Sequence, residues 1–508
     1  MTTAELTAKR WDAVIVGAGH NGLTAAAYLA RAGRSVLVLE RRDQVGGACT
    51  LEEPWSGYAI SPCAYLAGLL HPLVVEELAL HRHGYELIPL RPEDPYMTVP
   101  REDGSAFTEW IEESRTVAEL GEPDGRGYRE YVGLMARIRD ALRPDGPDDL
   151  WLAEAPSREL IEERLGRDEV AIATLFEDAY TTMLERFFSP RVVDALAGQG
   201  VIGTFASPRD PGTASIAVHH SSGRLTGYPG SWTYVRGGMG RVSFAIADAA
   251  REAGAVIATG VPVGAIRPGT GVELEDGTRI EARAVVSNAD PRRALALLDG
   301  AAPAAFRERV EAQPSESPVL KVNFALSELP RFPQAGHATR GTVNITGGAD
   351  FMHRACRTAQ AGDVADELWC ELYFQTVADP SVAPEGRHVM SAFCQYVPYR
   401  LAEGDWDSRR DEMADRVETS IERFAPGFRD LVVEREALAP PDVERKIGLT
   451  GGHIFQGECL PEFMWDRRLP YRTGAEGVYL CGAATHPGGS VIAVNGRNAA
   501  LAVDSDLG

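Results

Sequence analysis

The residues best suited to chemistry near the start of the chain form the glycine pattern GxGxxG at positions 17–22. In this pattern Gly17 permits a tight turn, Gly19 lets a pyrophosphate approach the backbone, and Gly22 lets a helix pack closely on a strand. Glu40 follows Gly22 by eighteen positions, near the spacing at which a carboxylate accepts hydrogen bonds from ribose hydroxyls. The pattern therefore predicts a dinucleotide site.

The elements around these glycines fit that chemistry. Residues 12–16 form a mostly apolar run that predicts a strand, and residues 35–39 predict a second, buried strand. Between them the Ala- and Leu-rich stretch 21–32 predicts a helix, with His20 and Asn21 at its N-terminus. The free amides and the dipole of such an N-terminus attract phosphate. The start of the chain is therefore predicted to be one βαβ unit.

A second nucleotide fingerprint is missing from the sequence. The nearest candidate, GGMG at 237–240, has Ser243 where a third glycine is needed and no clear apolar strand before it. Enzymes that use both FAD and a pyridine nucleotide in this style usually need two fingerprints. One nucleotide site is therefore expected, and the motif alone leaves FAD and NAD open.

Two further stretches favour FAD. After Glu40 the chain runs through Arg41 and Arg42, either of which could cover the adenine or a phosphate. It then reaches a second glycine pair, Gly46 and Gly47, that a plain NAD domain does not need. Near the C-terminus, an apolar strand at 478–480 precedes a glycine-rich turn and a small-residue helix, whose N-terminus would stabilise the negative charge of a reduced flavin ring. The candidates in that turn are Gly482, His486, Gly489, Ser490 and Val491.

The cysteine after the second glycine pair raises the question of disulfide chemistry, because flavin disulfide reductases place their redox cysteines in such a stretch. That chemistry needs a second cysteine a few residues on, but the next one after Cys49 is Cys63. The seven cysteines form no CxxC pair and no zinc spacing, so no metal site is predicted. We expect Cys49 to be a small buried residue.

Several stretches resemble known flavoproteins. The N-terminal unit resembles the glutathione-reductase-type FAD domain of flavin amine oxidases and carotenoid desaturases. The stretches THPGG, GGHIFQGE, YRTGAEGVYLCG, NGRNAA, YVRGGMG and VVSNADP resemble phytoene-desaturase-like oxidoreductases, most closely the subgroup described as pyridine nucleotide-disulfide oxidoreductase domain-containing protein 2. One departure is Ala483 and Ala484, which stand where many relatives carry an acidic residue that binds the flavin chain.

The resemblance implies an α/β fold with a discontinuous glutathione-reductase-type Rossmann domain for non-covalently bound FAD. It also implies an interleaved substrate domain built from a mixed sheet and helices. The implied boundaries are 1–92, 227–300 and 446–508 for the FAD domain, and 93–226 and 301–445 for the substrate domain.

The same resemblance assigns individual roles. Val263 falls where the backbone meets adenine, and Asn288 lies in a stretch that binds the cofactor. Lys321, inside an otherwise apolar strand, matches a lysine that holds a water against the flavin, where it would stabilise reduced flavin or activate oxygen. His219 and His220 are candidate bases, and on the strand predicted for them at most one would face the substrate.

The composition of the chain limits the kinds of partner that the protein is expected to bind. The chain of 508 residues has a formal net charge of −22, from 73 acidic and 51 basic residues, which repels nucleic acid at long range. The absence of an N-terminal leader pattern and the scattered cysteines predict a cytoplasmic protein. Peripheral contact with a membrane stays open, since carotenoid desaturases draw substrates from bilayers, and the sequence is silent on oligomeric state.

Three functions fit these observations. The first is an FAD-dependent dehydrogenase or desaturase that removes hydride from a C–H bond of a mostly apolar, isoprenoid- or polyketide-like small molecule and passes electrons to oxygen or a quinone-type acceptor. The second is a flavin amine or alcohol oxidase on the same scaffold. The third is a flavin-binding scaffold protein without turnover.

Overall fold

The computed structural model describes residues 3–152 and 154–508. Its strands are β1 (Trp11–Val16), β2 (Val36–Leu39), β3 (Glu52–Trp55), β4 (Tyr58–Ile60), β5 (Pro95–Pro100), β6 (Ala106–Trp110), β7 (Val256–Ala258), β8 (Val263–Arg267), β9 (Gly271–Leu274), β10 (Arg279–Ser287), β11 (Val319–Leu326), β12 (Thr342–Ile345), β13 (Trp369–Tyr373), β14 (His388–Gln395), β15 (Val432–Leu438) and β16 (Val478–Leu480).

The α-helices are α1 (Thr3–Leu6), α2 (His20–Arg31), α3 (Pro72–Glu77), α4 (Glu113–Leu120), α5 (Asp124–Leu142), α6 (Arg158–Arg164), α7 (Glu169–Phe176), α8 (Tyr180–Leu184), α9 (Pro190–Leu196), α10 (Ala214–His220), α11 (Gly240–Glu252), α12 (Pro291–Leu297), α13 (Ala304–Ala312), α14 (Ala349–Gln360), α15 (Gln375–Ala378), α16 (Trp406–Glu422), α17 (Phe428–Leu431), α18 (Pro440–Ile447) and α19 (Val494–Leu507).

The first sheet carries the nucleotide-type elements. Its strands β7, β2, β1, β10 and β16 pair in parallel in that order. Strand β9 pairs antiparallel with the N-terminal end of β10, and β8 pairs antiparallel with β9. The central strands are apolar on both faces because helices α2, α11 and α19 cover one side and a second apolar cluster covers the other. The carboxyl ends of these strands form the edge at which open α/β sheets bind ligands.

The second sheet has the order β15-β11-β14-β13-β12-β5-β6 and is antiparallel except between β12 and β5. Every residue of β11 is buried, so both faces of the sheet are covered. One face packs Leu320, Val322 and Phe324 against Met413 and Val417 of helix α16. The alternate residues of the same strands therefore point to the opposite side, where they line a cavity.

The chain segments that build each sheet are interleaved. The first sheet takes strands from 11–39, 256–287 and 478–480, and the second takes strands from 95–110 and 319–438. The predicted α/β fold class is confirmed. The exact domain boundaries stay a prediction.

One predicted element is wrong. His219 and His220 lie at the end of helix α10 rather than on a strand. The alternation of Ile216 and Val218 imitates a strand, but the segment is enclosed by other elements and residues Ala214 to His219 are all buried. Tertiary burial on every side erased the periodicity that would have marked a helix.

No helix in the described part of the chain combines the length and the apolarity that crossing a membrane requires.

Candidate active site

A groove runs along the carboxyl ends of the first sheet and offers about 1330 Å³ of space, part of it open to solvent. It has the location expected for a nucleotide in this class of fold. The predicted cofactor-binding residues that line it are Gly17, Gly19, His20, Asn21, Glu40, Arg41, Gly46, Gly47, Val263 and Asn288.

The glycines of the first turn are required by close backbone packing. A Cβ atom on Gly22 would stand 2.3 Å from the carbonyl oxygen of Gly17, so no larger residue fits there. A Cβ on Gly19 would meet only the side-chain amide of Asn288, at 2.6 Å. Gly22 therefore serves the helix packing, while Gly19 keeps the groove floor open next to Asn288.

The carboxylate of Glu40 is fixed by backbone amides. It accepts hydrogen bonds from the Ala18 amide at 2.7 Å and from the Arg42 amide at 2.9 Å. Glu40 is buried yet lines the groove, so its remaining lone pairs are available to the hydroxyls of a ribose. This arrangement fits the acidic residue of a dinucleotide fingerprint.

The second glycine pair packs against the turn formed by residues 17–22. Gly46 and Gly47 have φ angles of +115° and +58°, and the Gly46 amide donates to the Ala18 carbonyl at 2.8 Å. A Cβ on Gly47 would lie 3.3 Å from the Cα of Gly19. Both glycine stretches thus present bare backbone to the same part of the groove, as an extended diphosphate requires.

The C-terminal turn presents a strained backbone. Ser490, Val491 and Ala493 have φ angles of +85°, +58° and +67°, the left-handed region that non-glycine residues rarely adopt. The Asn495 amide donates to the carbonyls of Thr485, His486 and Gly488 at 3.0, 3.2 and 3.1 Å, which holds the turn in place. Strain maintained by the surrounding structure is typical of functional sites.

The predicted residues of this turn divide into two groups. Ser490 and Val491 line a second cavity, described below. The other three residues lie behind that surface. The ring of His486 forms a hydrogen bond with the Leu150 carbonyl at 2.8 Å, and the Gly489 carbonyl forms one with the ring of His219. A Cβ on Gly482 would meet the side chain of Gln456. These three support the turn from the protein side.

The second cavity lies between the turn and the second sheet and offers about 1350 Å³ of space, part of it open to solvent. His20, Ala48, Ile454 and Ala483 line both this cavity and the groove, so the two spaces adjoin. Its walls are mostly apolar and aromatic. The aromatic residues on them are Tyr65, Tyr96, Trp232, Tyr373, Phe393 and Phe455.

Lys321 reaches this cavity from strand β11. Its ammonium donates to the carbonyls of Ser61 and Cys63 at 3.1 and 3.3 Å and lies 4.0 Å from the centre of the Tyr65 ring. Only 4% of the residue is exposed, and burial lowers the pKa of the Lys321 ammonium from 10.5 to about 7. Lys321 can therefore change its protonation state near neutral pH.

The adjacent histidines have different environments. His220 lines the cavity, and its Nδ1–H donates a hydrogen bond to the Ile216 carbonyl at 2.9 Å. In the neutral ring, Nε2 is therefore a hydrogen-bond acceptor. His219 does not line the cavity, and its Nε2 bonds to the Gly489 carbonyl at 3.2 Å. Burial lowers the pKa of His220 to about 4 and that of His219 to about 3, so both rings are neutral at pH 7.

The cysteine after the second glycine pair is buried and forms no disulfide. Cys49 is fully buried, and its Sγ donates to the Met239 carbonyl at 3.3 Å. All seven cysteines are free, and burial raises the pKa of the Cys49 thiol to about 12. Although Cys49 touches the cavity, its thiol stays protonated at neutral pH.

Sequence reasoning missed several cavity residues. Tyr65, Glu371 and Tyr373 were not singled out, although Glu371 and Tyr373 stand at alternate positions of a buried strand. A charged residue inside the otherwise apolar stretch WCELYF is the same signal that drew attention to Lys321. Applied to every strand, that signal would have found Glu371.

Together, the glycine turn, the anchored acidic residue and the adjoining apolar cavity define a two-part dinucleotide-dependent oxidoreductase. The family model described as NAD(P)-binding Rossmann-like domain matches residues 15–75, and the one described as flavin containing amine oxidoreductase matches residues 179–503. The chain belongs to the flavin containing amine oxidoreductase family.

Three known proteins illustrate the relationship. The chain is 36% identical to pyridine nucleotide-disulfide oxidoreductase domain-containing protein 2 of Rattus norvegicus, over 98% of this chain and 94% of the relative. It is 24% identical to phytoene desaturase (lycopene-forming) of Pantoea ananas, over 96% and 97%. A solved triple mutant of putrescine oxidase shares the fold with a TM-score of 0.61 at 17% identity, covering 98% of each chain.

The chain is thus an FAD-dependent oxidoreductase, as the resemblance implied. The residues of the groove fit this cofactor, since Glu40 offers acceptors for a ribose and the paired glycines bare the backbone for a diphosphate. When bound, FAD supplies a two-electron acceptor. The scaffold interpretation without turnover is therefore set aside.

Proposed function

We propose that this oxidoreductase removes a hydride from a C–H bond of a mostly apolar, isoprenoid- or polyketide-like small molecule. The observation that carries the proposal is the apolar cavity that adjoins the cofactor groove and contains one buried lysine. An aromatic and aliphatic wall stabilises apolar ligands by removing their surface from water. A desaturation also requires that a proton leave the neighbouring carbon.

His220 and Lys321 are the two groups on the cavity wall that support the proposed reaction. The free Nε2 of His220 is an acceptor in the cavity, and burial lowers the pKa of Lys321 to about 7. In its ammonium form, Lys321 would stabilise negative charge that develops beside it in the reduced state. We assign Lys321 to the electron-transfer half-reactions and His220 to proton acceptance.

A flavin amine or alcohol oxidase is the second candidate. It is favoured by the aromatic pair Tyr65 and Tyr373, whose ring centroids lie 4.0 Å apart with an interplanar angle of 36°. The two rings contact each other directly, so an amine would lie beside the pair rather than between its members. The predominance of apolar walls makes the desaturase-type reaction the first choice.

The partner is proposed to be a small molecule, with oxygen or a quinone-type compound as electron acceptor. The formal net charge of −22 supports this over nucleic acid, because an acidic surface repels a polyanion. Docking on a membrane surface would have to use apolar contacts, since anionic lipid is repelled in the same way.

Anaerobic bleaching of the bound flavin tests the proposal. The FAD-loaded protein would be mixed without oxygen with a panel of isoprenoid, steroid, polyketide, alcohol and amine compounds. Bleaching by an isoprenoid or polyketide is expected, with a product that has lost two hydrogens. Bleaching by amines or alcohols alone would favour the second candidate.

A further inference from the structure

A buried carboxyl group lies in the substrate cavity and is not used by the proton or electron steps. Glu371 on strand β13 is 5% exposed and lines the cavity. Among the residues that line this cavity in the described chain, it is the single carboxylate. Burial of an uncompensated charge is costly, so a carboxyl group between aromatic and aliphatic walls requires interactions that offset this cost.

The contacts that Glu371 makes within the protein are hydrogen bonds from neutral groups. The hydroxyl of Tyr373 donates to one carboxylate oxygen, the side-chain amide of Gln199 donates to the other at 3.4 Å, and the side-chain amide of Asn344 is a third neutral partner. None of these three partners is a cation, so none of them compensates a charge on Glu371. Each carboxylate oxygen has further lone pairs, so the group can still accept hydrogen bonds from a ligand.

The ammonium of Lys321, which lines the same cavity, forms its contacts with residues other than Glu371. Lys321 gives its hydrogen bonds to the carbonyls of Ser61 and Cys63 and rests on the Tyr65 ring. The rings of Tyr65 and Tyr373 stand in contact beside it. The carboxylate and the ammonium therefore mark two separate polar points on one apolar wall.

The spacing of these points follows from the sheet. Phe393 of β14 pairs with Lys321 on one side and with Glu371 on the other. Neighbouring strands lie about 4.8 Å apart, so the backbones of Lys321 and Glu371 are roughly 10 Å apart across the sheet. An elongated ligand can therefore contact Glu371 at one end while its body lies along Phe393 towards Lys321.

We propose that Glu371 is a specificity-determining residue that binds a hydrogen-bond donor at one end of an otherwise apolar substrate. The substrate class is an amphipathic molecule with a hydroxyl or an ammonium group roughly two strand spacings from the carbon that reacts. The inference rests on the proposed function for the location of the reaction. The donor group would offset the cost of burying the carboxyl group.

Binding of three matched probes tests this proposal without turnover. Octanol and octylamine carry a terminal donor, and octyl methyl ether does not. In calorimetric titrations of the FAD-loaded protein, we expect at least one donor probe to bind about ten-fold more tightly than the ether. Because no oxidation is needed, this result is independent of flavin bleaching.

Two substitutions locate the preference. In Glu371→Leu the three probes should bind within about two-fold of one another. Glu371→Gln distinguishes the two donors, since loss of the negative charge weakens octylamine binding much more than octanol binding. Retained FAD shows that each variant is folded.

A partly buried glutamate outside the cavity provides the control. Glu109 accepts a hydrogen bond from the Tyr128 hydroxyl at 2.5 Å and does not line the cavity, so Glu109→Leu should keep the donor preference. Equal binding of all three probes to the wild-type protein, or a donor preference that survives Glu371→Leu, would overturn the proposal. Failure of both donor probes to bind would overturn it as well.

Discussion

Lys321 and Glu371 lie in one cross-strand row of the second sheet, each paired with Phe393 of the strand between them. Residues directly opposite each other on neighbouring strands point to the same face, so both side chains enter the same cavity. The sheet therefore fixes the distance between these two buried polar groups.

Substitution of the cavity lysine tests its part in electron transfer. Lys321→Met keeps the length of the side chain but removes the charge and the hydrogen bonds to Ser61 and Cys63. We expect flavin reduction or reoxidation to slow severalfold while FAD stays bound, as measured by stopped-flow absorbance. Lys9→Met, at an exposed position, is the control. Unchanged rates in both half-reactions would remove Lys321 from the site.

The lowered pKa of Lys321 also predicts a pH dependence of stability. The pKa falls from 10.5 to about 7 on folding, so between these values the unfolded chain binds more protons than the folded protein. Stability from this group then rises with pH by about 1.4 kcal/mol per pH unit over that window. Melting temperatures of wild type and Lys321→Met should diverge least at the alkaline end, and a constant difference from about pH 7 to about pH 9 would contradict this.

Much of the cofactor groove could be predicted from the sequence because its requirements are local. Gly17, Gly19 and Gly22 are placed by one turn, and Glu40 by the end of the next strand. The same holds for the C-terminal turn, of which Ser490 and Val491 line the cavity. Short segments with a defined backbone requirement leave a recognisable pattern.

The cavity could not be predicted to the same extent because it is assembled from distant segments. Tyr65 and Tyr373 are far apart in sequence and meet only when the second sheet packs against the first part of the chain. The sequence predicts a strand for the histidine pair because the burial of residues Ala214 to His219 removes the helical periodicity of this segment. Such features depend on tertiary packing and leave weak local signals.

The acidic residue of the groove should control cofactor affinity. Glu40→Gln replaces one acceptor oxygen with an amide group that faces the amides of Ala18 or Arg42. Loss of a charged acceptor is expected to weaken FAD binding about ten-fold or more. The measurement is the dissociation constant for FAD, with the exposed Glu308→Gln as control. Wild-type affinity in Glu40→Gln would mean that the ribose binds elsewhere.

Two glycine substitutions should have different consequences. Gly19→Ala conflicts only with the movable Asn288 amide, so we expect a folded protein that has lost FAD. Gly22→Ala conflicts with the Gly17 carbonyl at 2.3 Å, so we expect loss of folded protein. Circular dichroism and flavin content distinguish these outcomes. Full FAD content in Gly19→Ala would contradict the close approach of the diphosphate to this turn.

The buried cysteine should matter for stability and not for turnover. Cys49→Ala removes a buried Sγ and its bond to the Met239 carbonyl, which costs about 1–2 kcal/mol of stability. Flavin reduction by substrate should keep its wild-type rate because the protonated thiol takes part in no redox step. A variant that retains FAD but is no longer reduced would restore the disulfide interpretation.

Oxidation of a substrate C–H bond can be measured by anaerobic flavin reduction with substrate labelled with deuterium at the reacting carbon. The structure joins a cofactor groove to an apolar cavity with Lys321 and His220 on its walls. We predict that an apolar compound bleaches the bound flavin, loses two hydrogens, and reacts severalfold more slowly when deuterated. C–H oxidation is contradicted if no compound of the panel bleaches the flavin although dithionite reduces it readily. It is also contradicted if deuterium leaves the rate of flavin bleaching unchanged when hydride transfer limits that rate.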